Sequence, residues 1–102
     1  MYRAGDEVDH REWLAELNQV ADRLDLDGRA RSTAQDLFLS TLPEADRSKR
    51  AAMAACVYAG ALIAGEERSQ SAVADAADVS RLSVQKRWKE LLREAGLEPP
   101  SW

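Results

Sequence analysis

The stretch SQSAVADAADVSRLSVQKRWKELLREAG, residues 69–96, decides how this chain is read. Ser69 has the chemistry of an N-cap, and the spacing predicts a short helix over Gln70–Ala77 behind it. Asp78-Val79 makes a tight turn, and Ser80 caps a second, longer helix from Arg81 to about Ala95. Gly96 ends that helix, and Glu98-Pro99-Pro100 cannot continue it. A short helix and a longer basic one, separated by about three residues, have the spacing of a helix-turn-helix. Val84, Trp88, Leu91, Leu92 and Ala95 recur at i, i+4, i+7, i+8 and i+11, which predicts one buried stripe. Val73, Ala74 and Ala77 of the short helix and Val79 of the turn are expected to face it.

Upstream, every segment also reads as helix. The run AAMAACVYAGALIAG, residues 51–65, has almost no polar face, so a third helix starting near Ser48 should be buried on most sides. Its Ala and Gly residues let neighbouring helices approach closely, and Met53, Cys56 and Tyr58 read as core. Gly65 is expected to cap it. Before it, Ala30, Ala34, Leu37, Phe38 and Thr41 mark a second helix, N-capped by Asp27 and ended by Leu42-Pro43. Asp9 followed by Glu12 has the pattern of a capping box and predicts a first helix from about His10 to Leu24. The expected architecture is all-α: one five-helix domain over residues 1–102, ending in a helix-turn-helix at about 69–95.

Composition narrows the function classes. A chain of 102 residues fits one domain with a modest core. Cys56 is the single cysteine, so no intramolecular disulfide forms, and with His10 the single histidine a zinc site would have to draw on carboxylates. The apolar stretch Ala51–Ala64 is about 14 residues, short of a bilayer span. The start MYRAGDEVDHREW carries acids where a signal peptide needs an apolar run, so a cytoplasmic, nucleoid-associated protein is expected, with no membrane partner. An enzyme is not expected, nor is a metal or other cofactor. No Gly-rich phosphate loop or metal-spaced cluster stands out, and Cys56 lies in a helix that reads as buried.

The charge is uneven. Residues 1–46 carry 5 basic and 11 acidic side chains, whereas residues 68–94 carry 6 basic and 4 acidic ones. A basic C-terminal third on an acidic body points to a localised anionic partner. On the last helix, Leu82, Lys86, Lys89 and Arg93 lie opposite the buried stripe, flanked by Ser83 and Arg87, and Arg81 opens the helix. Such a helix can enter a major groove, its early side chains reaching base edges and its flanks reaching phosphates. Lys86 is also positioned for an ordinary i,i+4 pair with Glu90. Leu82 sits off the stripe, against a thymine methyl, a protein partner or the preceding helix. Gln70 either contacts a phosphate or base, or helps to cap its helix.

Residues 48–92 resemble a cyclin-like repeat of the transcription factor IIB family, most closely the second repeat of the archaeal factor. The shared features run in order: the Ala-rich helix with Tyr58, then Ser69-Gln70, Val73-Ala74, Asp78-Val79-Ser80, and Ser83-Val84 followed by Arg87-Trp88-Lys89-Glu90-Leu91. The family pattern there is Thr-Gln-x-x-Val-Ala, then Val-Thr-x-x-Thr-x-x-x-Arg-Tyr-Lys-Glu-Leu. The resemblance implies a cyclin-like fold whose helix-turn-helix binds promoter DNA beside the TATA box. Carried over by position, it makes Gln70, Leu82, Ser83 and Lys86 DNA-facing, and Arg87 a phosphate-binding or structural residue. The chain departs from the pattern at Asp78, where the family often has Gly, at Gln85 and Lys86, where it commonly has Arg and Asn, and at Trp88, which replaces Tyr.

The expected function is therefore a DNA-binding transcription regulator. With one repeat and no zinc ribbon, linker or second repeat, it is not expected to bridge polymerase and promoter by itself. A small module gives limited contact area, so a homodimer or a partner such as TATA-binding protein or another initiation factor is expected. The alternative is a cyclin-like protein-interaction module without DNA affinity of its own. Its working surface would be the acidic first two helices or a seam near Trp13 and Trp102.

Overall fold

The computed structural model describes residues 4–40 and 46–96, with side chains described for 11–40 and 49–96. Five helices follow one another: α1 (Ala4–Arg23), α2 (Gly28–Ser40), α3 (Asp46–Ile63), α4 (Gln70–Ala77) and α5 (Arg81–Glu94). No strand occurs among the described residues. Helix α1 begins earlier than expected, so Asp9 lies within it and not at its N-cap. An Asp–Glu pair three residues apart also fits a helix interior, and no proline in residues 4–9 stops the helix. Helix α3 likewise starts two residues before Ser48. The expected stop at Leu42-Pro43, Trp102 and the terminal prolines lie outside the described residues.

The helix ends follow local chemistry. The Asp27 carboxylate accepts from the Ala30 backbone N–H at 3.0 Å and caps α2. Ser69 accepts from the Ala72 N–H at 3.0 Å and Ser80 from the Ser83 N–H at 3.2 Å. Three helices finish alike, with one residue in the left-handed region and the next N–H returning to a carbonyl five residues back. Asp25 (φ 57°) sends Leu26 N–H to Ala21 O, and Gly65 (φ 79°) sends Glu66 N–H to Ala61 O. Asp78 (φ 61°) sends Val79 N–H to Ala74 O. Asp occupies this conformation at lower cost than most L-residues, so Asp78 serves in the turn where Gly would also fit.

Helix α3 is the centre of the fold and touches all four others. Every residue from Ala52 to Ala61 is buried, as its composition predicts. Gly60 is the point of closest approach to α2: a Cβ there would lie 2.8 Å from the Ala34 backbone nitrogen. Phe38, Leu17, Val20 and Leu37 close over α3 from α2 and α1. From the other side come Val73, Val84, Leu91 and Trp88, whose ring meets Tyr58 edge-on at 5.2 Å between centroids.

Arginines join the layers. Arg50 on α3 donates to Ala77 O of α4 at 3.2 Å and lies 3.6 Å from the Glu16 carboxylate of α1. Its guanidinium also stacks over the Trp13 ring at 5.3 Å. Arg68 donates to the carbonyls of Leu24 at 2.9 Å and Asp25 at 3.2 Å, and to Glu66 O at 2.9 Å. It thereby ties the end of α1 to the α3–α4 connection.

Candidate nucleic-acid interface

Helices α4 and α5 are set by the buried stripe. Val84 and Leu91 are fully buried, Trp88 and Leu92 nearly so, and Ala95 packs against the same cluster. Turning that side inward turns Leu82, Lys86 and Arg93 outward, because they lie about half a helical turn away. Lys86 and Arg93 are exposed, and neither has an ion-pair partner among the described residues. Leu82 is 54% exposed, which separates it from the core and from any packed place against α4. Arg81 is exposed in the first turn. Arg93 sits in the last turn, where the helix dipole favours a cation.

The other sequence candidates sit differently. The half-buried Arg87 pairs with Glu90 at 3.4 Å, so Glu90 takes Arg87 at i,i+3 and not Lys86 at i,i+4. The Arg87 Nε is buried without a hydrogen-bond partner. Lys89 is half-buried, its ammonium over the Trp88 ring at 5.6 Å from the centroid. The Ser83 hydroxyl is 3.0 Å from that of Ser80 and belongs to the cap as much as to the surface. Arg68, counted with the basic third, spends its donors on backbone carbonyls away from α5.

Gln70 is resolved by what its neighbour does. Ser69 caps α4, so Gln70 is not needed there. Its side chain instead lines an open recess of about 240 Å³ between α4 and α5, together with Gln85, Trp88 and Lys89. Gln85, which the sequence marks only as a departure from the family pattern, is the recess residue missing from the expected site. Its signal was present: it lies three residues after Leu82 and four before Lys89, on the edge of the same face. The structure thus brings Gln70, Gln85 and Lys89 to one recess and leaves Leu82, Lys86 and Arg93 beside it on α5.

The surface around Trp13 gives little to a protein-interaction reading. Its ring is partly buried against the core and overlaid by Arg50. The other large exposed apolar side chains, Leu39 and Ile63, lie on different helices. Among the described residues no group of three His, Cys, Asp or Glu side chains could hold a metal ion, and no helix is long and apolar enough to cross a membrane. The Asp27–Glu66 pair is the place where carboxylates meet. Their shared hydrogen bond pushes the Glu66 pKa up and the Asp27 pKa down, and the Asp27 N–H also donates to Glu66 Oε1 at 3.2 Å. Asp27 at the α1–α2 turn is exposed and Glu66 just after α3 is half-buried, and the pair links that turn to the end of α3.

Comparison with known proteins matches residues 12–94 to the family described as the transcription factor TFIIB repeat. The match therefore takes in most of α1 and all of α2, well before the residue 48 at which the sequence pattern became specific. The chain is 31% identical over 87 residues to a transcription initiation factor IIB of Pyrococcus abyssi, covering 82% of this chain and 29% of that protein. It is 32% identical over 88 residues to transcription initiation factor IIB 6 of Halobacterium salinarum, covering 83% and 28%. A shorter match to the factor IIB of Caldivirga maquilingensis reaches 43% over 47 residues, 46% of this chain and 14% of that protein. The chain spans less than a third of the length of these relatives.

Proposed function

Because the chain belongs to the transcription factor TFIIB repeat family, a family of transcription factors with a cyclin-like all-α fold and not of enzymes, we propose that it binds duplex DNA to regulate transcription. The whole chain acts as one cyclin-like domain, and α5 of its helix-turn-helix lies in the major groove. The observation that carries this is the outer face of α5. Lys86 and Arg93 stand there exposed and without acidic partners among the described residues, next to an exposed Leu82. A protein surface that leaves cations unneutralised on a helix with a partly positive N-terminus favours a polyanion. Phosphate contacts by Lys86, Arg93 and Arg81 fix the register, and side chains near the start of α5 meet the base edges.

The acidic body supports a divided surface. With α5 on DNA, the acid-rich α1 and α2 face away from it or toward a basic partner. A single module offers about 600–1,000 Å² to DNA, so TATA-binding protein or a second copy completes the assembly at a promoter. The working location follows from this: the protein is cytoplasmic and associated with the nucleoid.

Fluorescence anisotropy with a selected duplex, across a salt titration, tests the proposal. The expected result is affinity that falls steeply with salt, with a slope reduced by about one for each phosphate contact removed. Lys86→Ala and Arg93→Ala are expected to weaken binding to all duplexes alike. Both positions are exposed, so an unchanged far-UV circular dichroism spectrum certifies the fold. Affinity equal to the parent in the double variant would overturn the proposal. Repeating the selection with TATA-binding protein present shows whether enrichment depends on it.

A further inference from the structure

We infer that Arg23 of α1 and Arg50 of α3 are positioning residues for the helix-turn-helix: they grip the open end of α4 and so set the angle at which α5 is presented to DNA. The inference rests on the duplex-DNA reading above and adds what holds α5 in place. Neither arginine lies on α4 or α5, so each acts through backbone and not through contact with DNA.

The last four carbonyls of a helix have no partner within it. In α4 these belong to Ala74, Asp75, Ala76 and Ala77. The turn satisfies two of them. Val79 N–H donates to Ala74 O at 3.0 Å, and Asp78 N–H donates to Asp75 O at 3.3 Å. The other two are met from outside the helix-turn-helix. Arg23 Nη1 donates to Ala76 O at 2.7 Å, and Arg50 Nη1 donates to Ala77 O at 3.2 Å. Both bonds are charge-assisted, and two guanidiniums at the negative pole of the α4 dipole strengthen the hold.

Helix α4 is also tied at its other end. Arg68, immediately before the Ser69 cap, donates to Leu24 O and Asp25 O at the end of α1. Fixing both ends fixes the axis of this eight-residue helix. That axis passes to α5 through three residues, Asp78–Ser80. Trp88, Leu91 and Leu92 seat the second half of α5 on the core. Val84 is the one buried residue before them, so the first turn, with Arg81 and Leu82, stands where the end of α4 puts it. Loss of the arginine grip therefore tilts that turn and leaves the buried stripe seated.

The experiment uses the full chain and reads anisotropy with a selected duplex and a random-sequence duplex, across a salt titration. Arg23 is exposed, so Arg23→Ala leaves the core closed. Arg50 also meets Trp13 and Glu16, which makes Arg23 the cleaner variant. Arg23→Ala is expected to lose about fivefold in affinity for the selected duplex, the low end of coupling between separate parts of a protein. Its affinity for the random duplex and its salt slope should match the parent. Arg50→Ala should act in the same direction, and the double variant should lose more. Arg23→Lys keeps a charged donor and should recover most of the loss. Hydrogen exchange without DNA gives a second readout. In Arg23→Ala the Asp78 and Val79 amides should exchange about threefold to tenfold faster, as loss of one hydrogen bond implies, and the amides of α3 should not change. Equal affinity of the parent and the double variant for the selected duplex would overturn the inference while DNA binding stands. A salt slope reduced by about one in Arg23→Ala would also overturn it, because Arg23 would then be a phosphate contact. Parent exchange rates at Asp78 and Val79 in that variant would do the same. Absence of parent binding to any duplex would overturn both readings together.

Discussion

Helices α3 and α5 pack on each other, yet they solve different problems. From Ala52 to Ala61, α3 is buried around its whole circumference and carries no charged side chain. Helix α5 buries only Val84, Trp88, Leu91 and Leu92 and carries its charged side chains, with Leu82, Ser83 and Gln85, on the rest of its surface. Over Ala52–Ala61 every side chain is enclosed by its neighbours, and small residues predominate there, as close helix crossings require. On α5 packing fixes one stripe and leaves the outer residues open to selection for something else. The comparison teaches where to look for function in this chain. The face whose composition packing does not explain holds exposed cations, the exposed leucine and carboxamides without partners among the described residues.

The largest test cuts the contact between the two helices. Trp88 is 2% exposed and meets Tyr58 edge-on. Trp88→Ala is expected to cost about 3–5 kcal/mol in urea denaturation, a large share of a small domain's stability. If the loss is below about 1 kcal/mol, α5 is not anchored to α3 as described.

A smaller effect is expected within α3. Gly60→Ala places a methyl 2.8–2.9 Å from backbone atoms of Ala34, which cannot rotate out of the way. Forced separation of α2 and α3 should cost about 1–3 kcal/mol, although Ala is the better helix former. A thermal scan reads it as a lowered Tm, and a raised Tm would show that the crossing is loose.

The smallest effect sharpens the comparison at the end of α3, where burial stops. The raised pKa of Glu66 means that folding favours its protonated form, so its contribution improves as pH falls through that value. The lowered pKa of Asp27 means that its contribution holds until pH falls through the lower value. Stability from this pair is therefore greatest in mildly acidic solution, between the two. Glu66→Gln keeps an acceptor for the Asp27 N–H and removes the like charge, so it should raise Tm slightly near pH 7 and leave it unchanged in that acidic window. An equal shift at both pH values would show that the two carboxyls do not interact.

Much of the fold was legible because its signals are local. Ser69, Ser80 and Asp27 cap where their short polar side chains predict, and α4 has the expected bounds. The Asp9–Glu12 pair misled because a capping box and an i,i+3 pair within a helix have the same spelling, and only the preceding residues distinguish them. The candidate site was legible as a face but not as a set of contacts. Lys86, Leu82 and Arg93 came out exposed as the angular count required. The diversion of Arg87 to Glu90, of Ser83 to the cap and of Arg68 to distant carbonyls depends on partners that periodicity does not specify.

By itself, the sequence determined the helical class, the buried character of α3, the caps at Asp27, Ser69 and Ser80 and the basic outer side of α5. Those follow from composition, spacing and side-chain chemistry within a few residues. Tertiary structure decided the rest. It placed Gln70 and Gln85, fifteen positions apart, on one recess, and bound Arg50 and Arg68 to helices far along the chain. It also brought Gly60 onto Ala34. The physical reason is that a helix fixes which residues share a face, whereas the crossing of two helices fixes which faces meet.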